Sequence, residues 1–169
     1  AIVKVLGDRA SILLFDDDGV MQFAAWRGLS EAYRTRLAGH TPWKPGEVEP
    51  DPIFVSDIDA SDEPDWIKAQ IRAEGIRGLA FIPLLTAGGV SGKFMSYYRE
   101  PHVFDEGERN LALTIARQIG FSLEKLRADE ARRVAIDELR ESEARFRIMA
   151  EEAPVMIWTS GTAGQCLYL

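Results

Sequence analysis

Cysteine is almost absent from this sequence: Cys166 is the only thiol among 169 residues. That excludes an internal disulfide, a cysteine-based zinc site and an iron–sulfur cluster. Histidine is nearly as scarce. His40 and His102 are the only two, far apart and beside Pro42 and Pro101, so no metal site is expected and a lone loop histidine reads as solvated; haem on such a residue is not expected. No window approaches the roughly eighteen uncharged apolar residues of a membrane span, and no basic-then-apolar leader opens the chain. Positive charge is in deficit, with 20 Lys+Arg against 27 Asp+Glu and a net charge of -7. Such a balance opposes phosphate attraction, so neither nucleic acid nor direct membrane contact is expected. Catalytic signatures are missing too: there is no Gly-x-Ser-x-Gly elbow, and Gly88-Gly89 and Gly161 with Gly164 read as turns rather than phosphate cradles. The chain itself is not expected to be an enzyme.

What is present suits a cytoplasmic globular protein of one domain, or one domain and a fragment: 46% of residues are hydrophobic and 28% charged. Ala10–Phe15 and Val20–Arg27 form a predicted β-hairpin about the turn formers Asp16-Asp17-Asp18-Gly19, whose adjacent carboxylates lack the alternate spacing of a calcium loop. Leu29, Ala32, Tyr33 and Leu37 mark a short helix capped by Ser30. Thr41 to Asp65 is proline-rich and acidic, interrupted by one brief strand at Ile53-Phe54-Val55. Its acidic side chains are expected to be solvated. Pro64 then opens a helix carrying Trp66, Ile67, Gln70 and Ile71. Gly78–Leu85 is almost continuously apolar, as a strand buried on both faces would be. Val90–Arg99 returns beside it, with Phe94 and Tyr98 on one face and Met95 and Tyr97 on the other.

No proline interrupts the chain between Phe104 and Pro154, and a very long helix is predicted there. Ala116, Ile119, Leu123 and Leu126 make one heptad-like seam and Ile136, Leu139, Glu143 and Phe146 another. The two are out of phase by one residue, a slip that changes the winding of a coiled coil. A solvated helix with little partner contact is the alternative. Beyond Pro154, Val155–Thr159 and Gln165–Leu169 read as strands of an uncompleted unit, and the chain is expected to belong to a longer protein.

The order of elements, an α+β arrangement of an antiparallel sheet with flanking helices and a long C-terminal signalling helix, resembles the GAF family of sensory domains over roughly Arg9 to Leu126. Arg9-Ala10-Ser11-Ile12-Leu13-Leu14-Phe15, Phe54-Val55-Ser56-Asp57-Ile58, Gly75 through Leu84 and Phe104-Asp105-Glu106 carry the resemblance. Glu143-Ala144-Arg145-Phe146-Arg147 with Glu152 through Trp158 resembles the opening of a PAS domain. Together they imply a GAF-like domain over 1–126 with its first helix missing or truncated, an exit helix over 105–150 overlapping its end, and an incomplete PAS-like segment over 151–169. Family members holding bilins through the core use a cysteine there, so the resemblance implies that a covalently bound bilin is excluded, as is sulfoxide-reductase chemistry. Gly92-Lys93 with Phe104-Asp105 preserves only part of the pattern of cyclic-nucleotide members.

The resemblance also implies a ligand space between the sheet and the acidic loop, near Trp26, Phe54, Asp57, Trp66, Ile67, Arg77, Phe81 and Tyr97. Arg27 or Arg77 could pair with a ligand anion or with Asp57. Aromatic walls with a few polar groups suit a small-molecule pocket, and they equally suit ordinary core. The expected function is a sensory and relay module of a bacterial signalling protein, foremost a two-component sensor histidine kinase, forming a homodimer through Ala116, Ile119, Leu123, Leu126, Ile136 and Leu139. The alternative is a ligand-free dimerisation module of a cyclic-di-GMP enzyme or other regulator.

Overall fold

A computed structural model describes residues 7–152, 158–160 and 166–168. Strands β1 (Arg9–Phe15) and β2 (Met21–Arg27) form the first hairpin. Its turn is held by Asp16, whose carboxylate accepts the amides of Asp18 and Val20 at 3.1 and 2.8 Å. These bonds, that from Val20 foremost, hold the Asp16 carboxyl below its ordinary range. Helix α1 (Glu31–Leu37) follows, with Ser30 capping the Tyr33 amide as its sequence position predicts. Next come β3 (Ile53–Val55), a 3-10 turn at Ile58–Ala60 and helix α2 (Asp65–Ala73). Strands β4 (Gly78–Thr86) and β5 (Gly89–Tyr98) form the second hairpin, and helix α3 spans Glu106–Glu152.

The five strands make one antiparallel sheet in the order β2-β1-β5-β4-β3. This is the α+β fold expected from the sequence. Both central strands are buried on both faces, and the two-residue period of the pleat sorts their side chains. Leu79 and Phe81 of β4 and Met95 and Tyr97 of β5 meet the roof formed by α1, α2 and the intervening loop, where Tyr33, Leu37, Ile67 and Ile71 close the core. Ala80, Ile82, Leu84 and Phe94 face the other way, onto Phe104, Ala112 and Ala116.

Glu74, at the C-terminal end of α2, joins the two roof helices. Its carboxylate accepts the Ser30 amide at 2.7 Å and the Ser30 hydroxyl at 2.5 Å, and Arg9 donates to its backbone carbonyl. One carboxylate thereby satisfies the entry of α1 and ties it to the exit of α2.

The packing of α3 removes Ala116, Ile119 and Leu123 from the expected dimer seam. Ala116 is 2% exposed, and Ile119 and Leu123 pack with it against the sheet of the same chain. Their three-to-four spacing is that of a helix buried on its own domain. A small residue permits the approach: a Cβ on Gly120 would stand 2.2 Å from the Leu85 carbonyl oxygen. The chain divides into two compact units at Lys125/Leu126. In the second, Leu126, Val134, Ile136, Leu139, Phe146, Ile148 and Met149 are all exposed. Trp158–Ser160 and Cys166–Tyr168 pair there as antiparallel strands β6 and β7. These correspond to parts of the two strands expected in the tail; residues 155–157, 165 and 169 of that expectation lie outside the described residues. No helix among the described residues is long and apolar enough to cross a membrane.

Replacing Gly120 by Ala should therefore destabilise the domain by about 1–3 kcal/mol, the usual effect of overpacking against backbone that cannot give way. Urea denaturation of the two proteins measures it.

Candidate functional site

Between the sheet and its roof lies a cavity of about 20 Å³, enough for roughly one water molecule. Leu13 of β1, Phe23 of β2 and Leu37, Ile67, Ile71 and Leu79 give it apolar walls. Its polar lining comes from Tyr33, Tyr97, His40 and Lys93.

Lys93 is the unusual member. It is 2% exposed at the centre of β5, opposite Leu13 and Pro83 of the neighbouring strands. Its Nζ donates to the His40 carbonyl at 2.6 Å and lies 5.1 Å from the centre of the Phe81 ring. No carboxylate among the described residues comes within 4 Å of it. Desolvation consequently pushes its pKa down to about 7, with only partial opposition from the Glu63 charge.

His40 stands beside it, half-buried, with Nε2 3.8 Å from a Glu63 carboxylate oxygen. Burial and then the Lys93 charge lower its pKa, so the expectation of a solvated loop histidine is corrected. His102, likewise, stacks on Tyr98 at 3.8 Å and meets both Glu108 oxygens at 3.0 Å. On the far wall Tyr97 shares a 2.7 Å hydrogen bond with Ser11 and meets Tyr33 edge-on. Its burial lifts the phenol well above its ordinary range.

Of the eight residues expected around a ligand space, Ile67, Phe81 and Tyr97 line this cavity. The other five do not. Phe54 pairs with Ala80 and so takes the opposite face, where its ring packs 5.1 Å from Phe104. Trp26, on edge strand β2, is 46% exposed beneath the Arg34 guanidinium. Trp66 is 55% exposed and meets His40 edge-on, because the inward stripe of α2 is Ile67 and Ile71. Asp57 and Arg77 satisfy each other through contacts of 2.9 and 3.0 Å, and Asp57 also caps the 3-10 turn. The Asp59 amide and then Arg77 hold the Asp57 carboxyl below its ordinary range. Asp59 bonds Arg72 and reaches Arg77 at 3.0 Å. These two acidic groups of the loop are thus paired, not merely solvated.

The sequence reading did not include Tyr33, His40 or Lys93 in the site. A signal existed for Lys93: it shares its strand parity with Met95 and Tyr97, already placed on one face.

The fold is an antiparallel sheet roofed on one face and backed by a helix on the other, and comparison gives its family. A family model described as GAF domain matches residues 1–124, and the chain belongs to the GAF domain family. Among solved structures, a domain of a protein named as a two-component sensor histidine kinase from Sinorhizobium meliloti 1021 is 52% identical. The match covers 75% of this chain and 85% of that one, with a TM-score of 0.71. The blue-light-absorbing form of the PixJ GAF domain of Thermosynechococcus elongatus is 20% identical over 77% of this chain and 82% of that one, TM-score 0.62. A far-red-absorbing dark state with bound biliverdin IXα is 16% identical over 69% and 79%, TM-score 0.55. No curated protein matched the chain. The expected exclusion of a bilin bound covalently through the core is corrected by these neighbours, since the shared fold holds biliverdin in one of them. The likeness is one of fold and assigns no chromophore to this chain.

Burial of Lys93 has a measurable consequence for stability. Its pKa is lower in the folded state than in the unfolded one, so the unfolded chain binds more protons between about pH 7 and 10.5. The resulting penalty is greatest below pH 7 and fades as pH rises towards 10.5. Lys93→Met should be more stable than the parent at pH 7, and its advantage should shrink towards pH 10. Chemical denaturation at the two pH values checks the sign.

Proposed function

We propose that this chain is the cytoplasmic sensory and relay module of a bacterial sensor histidine kinase, in which occupancy of the roofed cavity biases two arrangements of a parallel helical dimer. The observation that carries the reading is the composition of α3. One helix contributes both Ala112 and Ala116, packed on the sheet that floors the cavity, and exposed apolar side chains that include Leu126, Ile136 and Leu139. Exposed ion pairs at Glu130–Arg133, Asp137–Arg140 and Glu141–Arg145 add only a few tenths of a kcal/mol each. A helical stretch otherwise supported only by propensity is marginal in water, which favours a second copy covering these exposed apolar side chains. The 52% identity to the S. meliloti domain supports the kinase assignment. The antiparallel pair after α3 is compatible with the opening of a PAS domain leading to the output.

A ligand-free dimerisation module is the second reading, and the small cavity favours it. In either case the proposed seam runs through Leu126, Ile136 and Leu139 and leaves out the buried Ala116. Leu126→Asp should convert a dimer into a folded monomer, as measured by light scattering with circular dichroism. Ala116→Asp, in contrast, should unfold the domain because it places a charge in the core. An unchanged dimer for Leu126→Asp would contradict the proposed seam.

A further inference from the structure

We infer that the cavity is a receptor site for a short-chain monocarboxylate, with the Lys93 ammonium as the counter-charge for its carboxylate and the surrounding aliphatic walls as the seat of its tail. This rests on the reading of the cavity as a ligand site and names the chemistry of the ligand.

A protein interior rarely holds a cation whose one hydrogen bond goes to a neutral carbonyl, because the carbonyl does not replace the lost hydration of the charge. Lys93 is such a cation, with the His40 carbonyl as its partner. It also lines the cavity, so a bound anion can complete its coordination. The other groups near it set the ligand charge at one. Glu63 acts on Lys93 only at longer range, His40 is held towards its neutral form, and Tyr33 and Tyr97 are held as neutral phenols. A dianion would bring a second charge to a site with a single buried cation.

Size and polarity narrow the class. Leu13, Phe23, Leu37, Ile67, Ile71 and Leu79 offer no hydrogen bonds to a polar tail. A volume of about 20 Å³ holds roughly one water, so formate, the smallest carboxylate, would enter with the least outward movement of the α1–α2 roof, acetate would need more, and a longer acid more still. The Ser30–Glu74 tie between those helices resists such movement and favours short ligands.

The test uses the full chain, with thermal denaturation and calorimetry in sodium formate or sodium acetate. Ionic strength is held constant with gluconate, and formamide and acetamide serve as neutral isosteres. The expected result is saturable stabilisation by the two carboxylates and none by the amides. Affinity should be at least about tenfold higher at pH 6 than at pH 8.5, because the protonated lysine is the binding form. Lys93→Met, whose own melting curve reports that it folds, should lose the response. Equal stabilisation of parent and Lys93→Met by acetate, or no response of the parent to either carboxylate at pH 6, would overturn the inference. Saturable binding of acetamide without acetate binding would also overturn it while leaving a ligand cavity in place. The oligomeric state of Leu126→Asp tests the relay reading separately.

Discussion

The central pair β4–β5 must be covered on both faces, and the rest of the domain follows from that constraint. Neither strand has a polar side to give to solvent, so the chain supplies a roof for one face and a helix for the other. The pleat then commits each residue to one environment. Lys93, Met95 and Tyr97 belong with the roof, whereas Phe94 belongs with α3. A lysine in the first set is confined to an apolar interior by register alone. Moving it to the other face would require a one-residue slip that exchanged every side chain of the strand.

The charged groups around the roof divide according to whether they have found partners. Asp57 with Arg77, Asp59 with Arg72, and Glu74 with Ser30 are mutually satisfied and hold the loop and the two helices in place. Lys93 has only a backbone carbonyl. The paired groups are architecture, and the buried charge without a counterion is the place where a ligand would change the energy most. Since α3 packs on the reverse side of the same two strands, a ligand that preferred one arrangement of β5 would also favour one position of the helix. Its effect would be limited to its differential affinity for the two arrangements.

The sequence made the sheet legible because its signals were local and mutually consistent. Asp16 to Gly19 has the chemistry of a tight turn, β4 is an unbroken apolar run, and β5 alternates in a way that separates Met95 from Phe94. The site was less legible. Phe54 lies in a three-residue strand whose facing depends on pairing with β4, a contact that no local pattern reveals. Trp26 and Trp66 are large and apolar, but one sits on an edge strand and the other on the outer side of a helix. The part of the α3 seam formed by Ala116, Ile119 and Leu123 was assigned to a second chain but packs on its own sheet: periodicity marks an apolar stripe without saying which of the two covers it. Lys93 escaped because its residue type suggests solvent, although its parity with Met95 and Tyr97 placed it indoors.

Coupling between the cavity and α3 is the central claim, and a distance across the proposed dimer tests it most directly. Spin labels on Arg132→Cys, in a background with Cys166→Ser, would report the separation of the two helices by pulsed electron resonance, with and without saturating acetate. Two distance populations are expected, with a ratio that shifts on addition of acetate and stays fixed when Lys93→Met is present. A single distribution unchanged by acetate would contradict it.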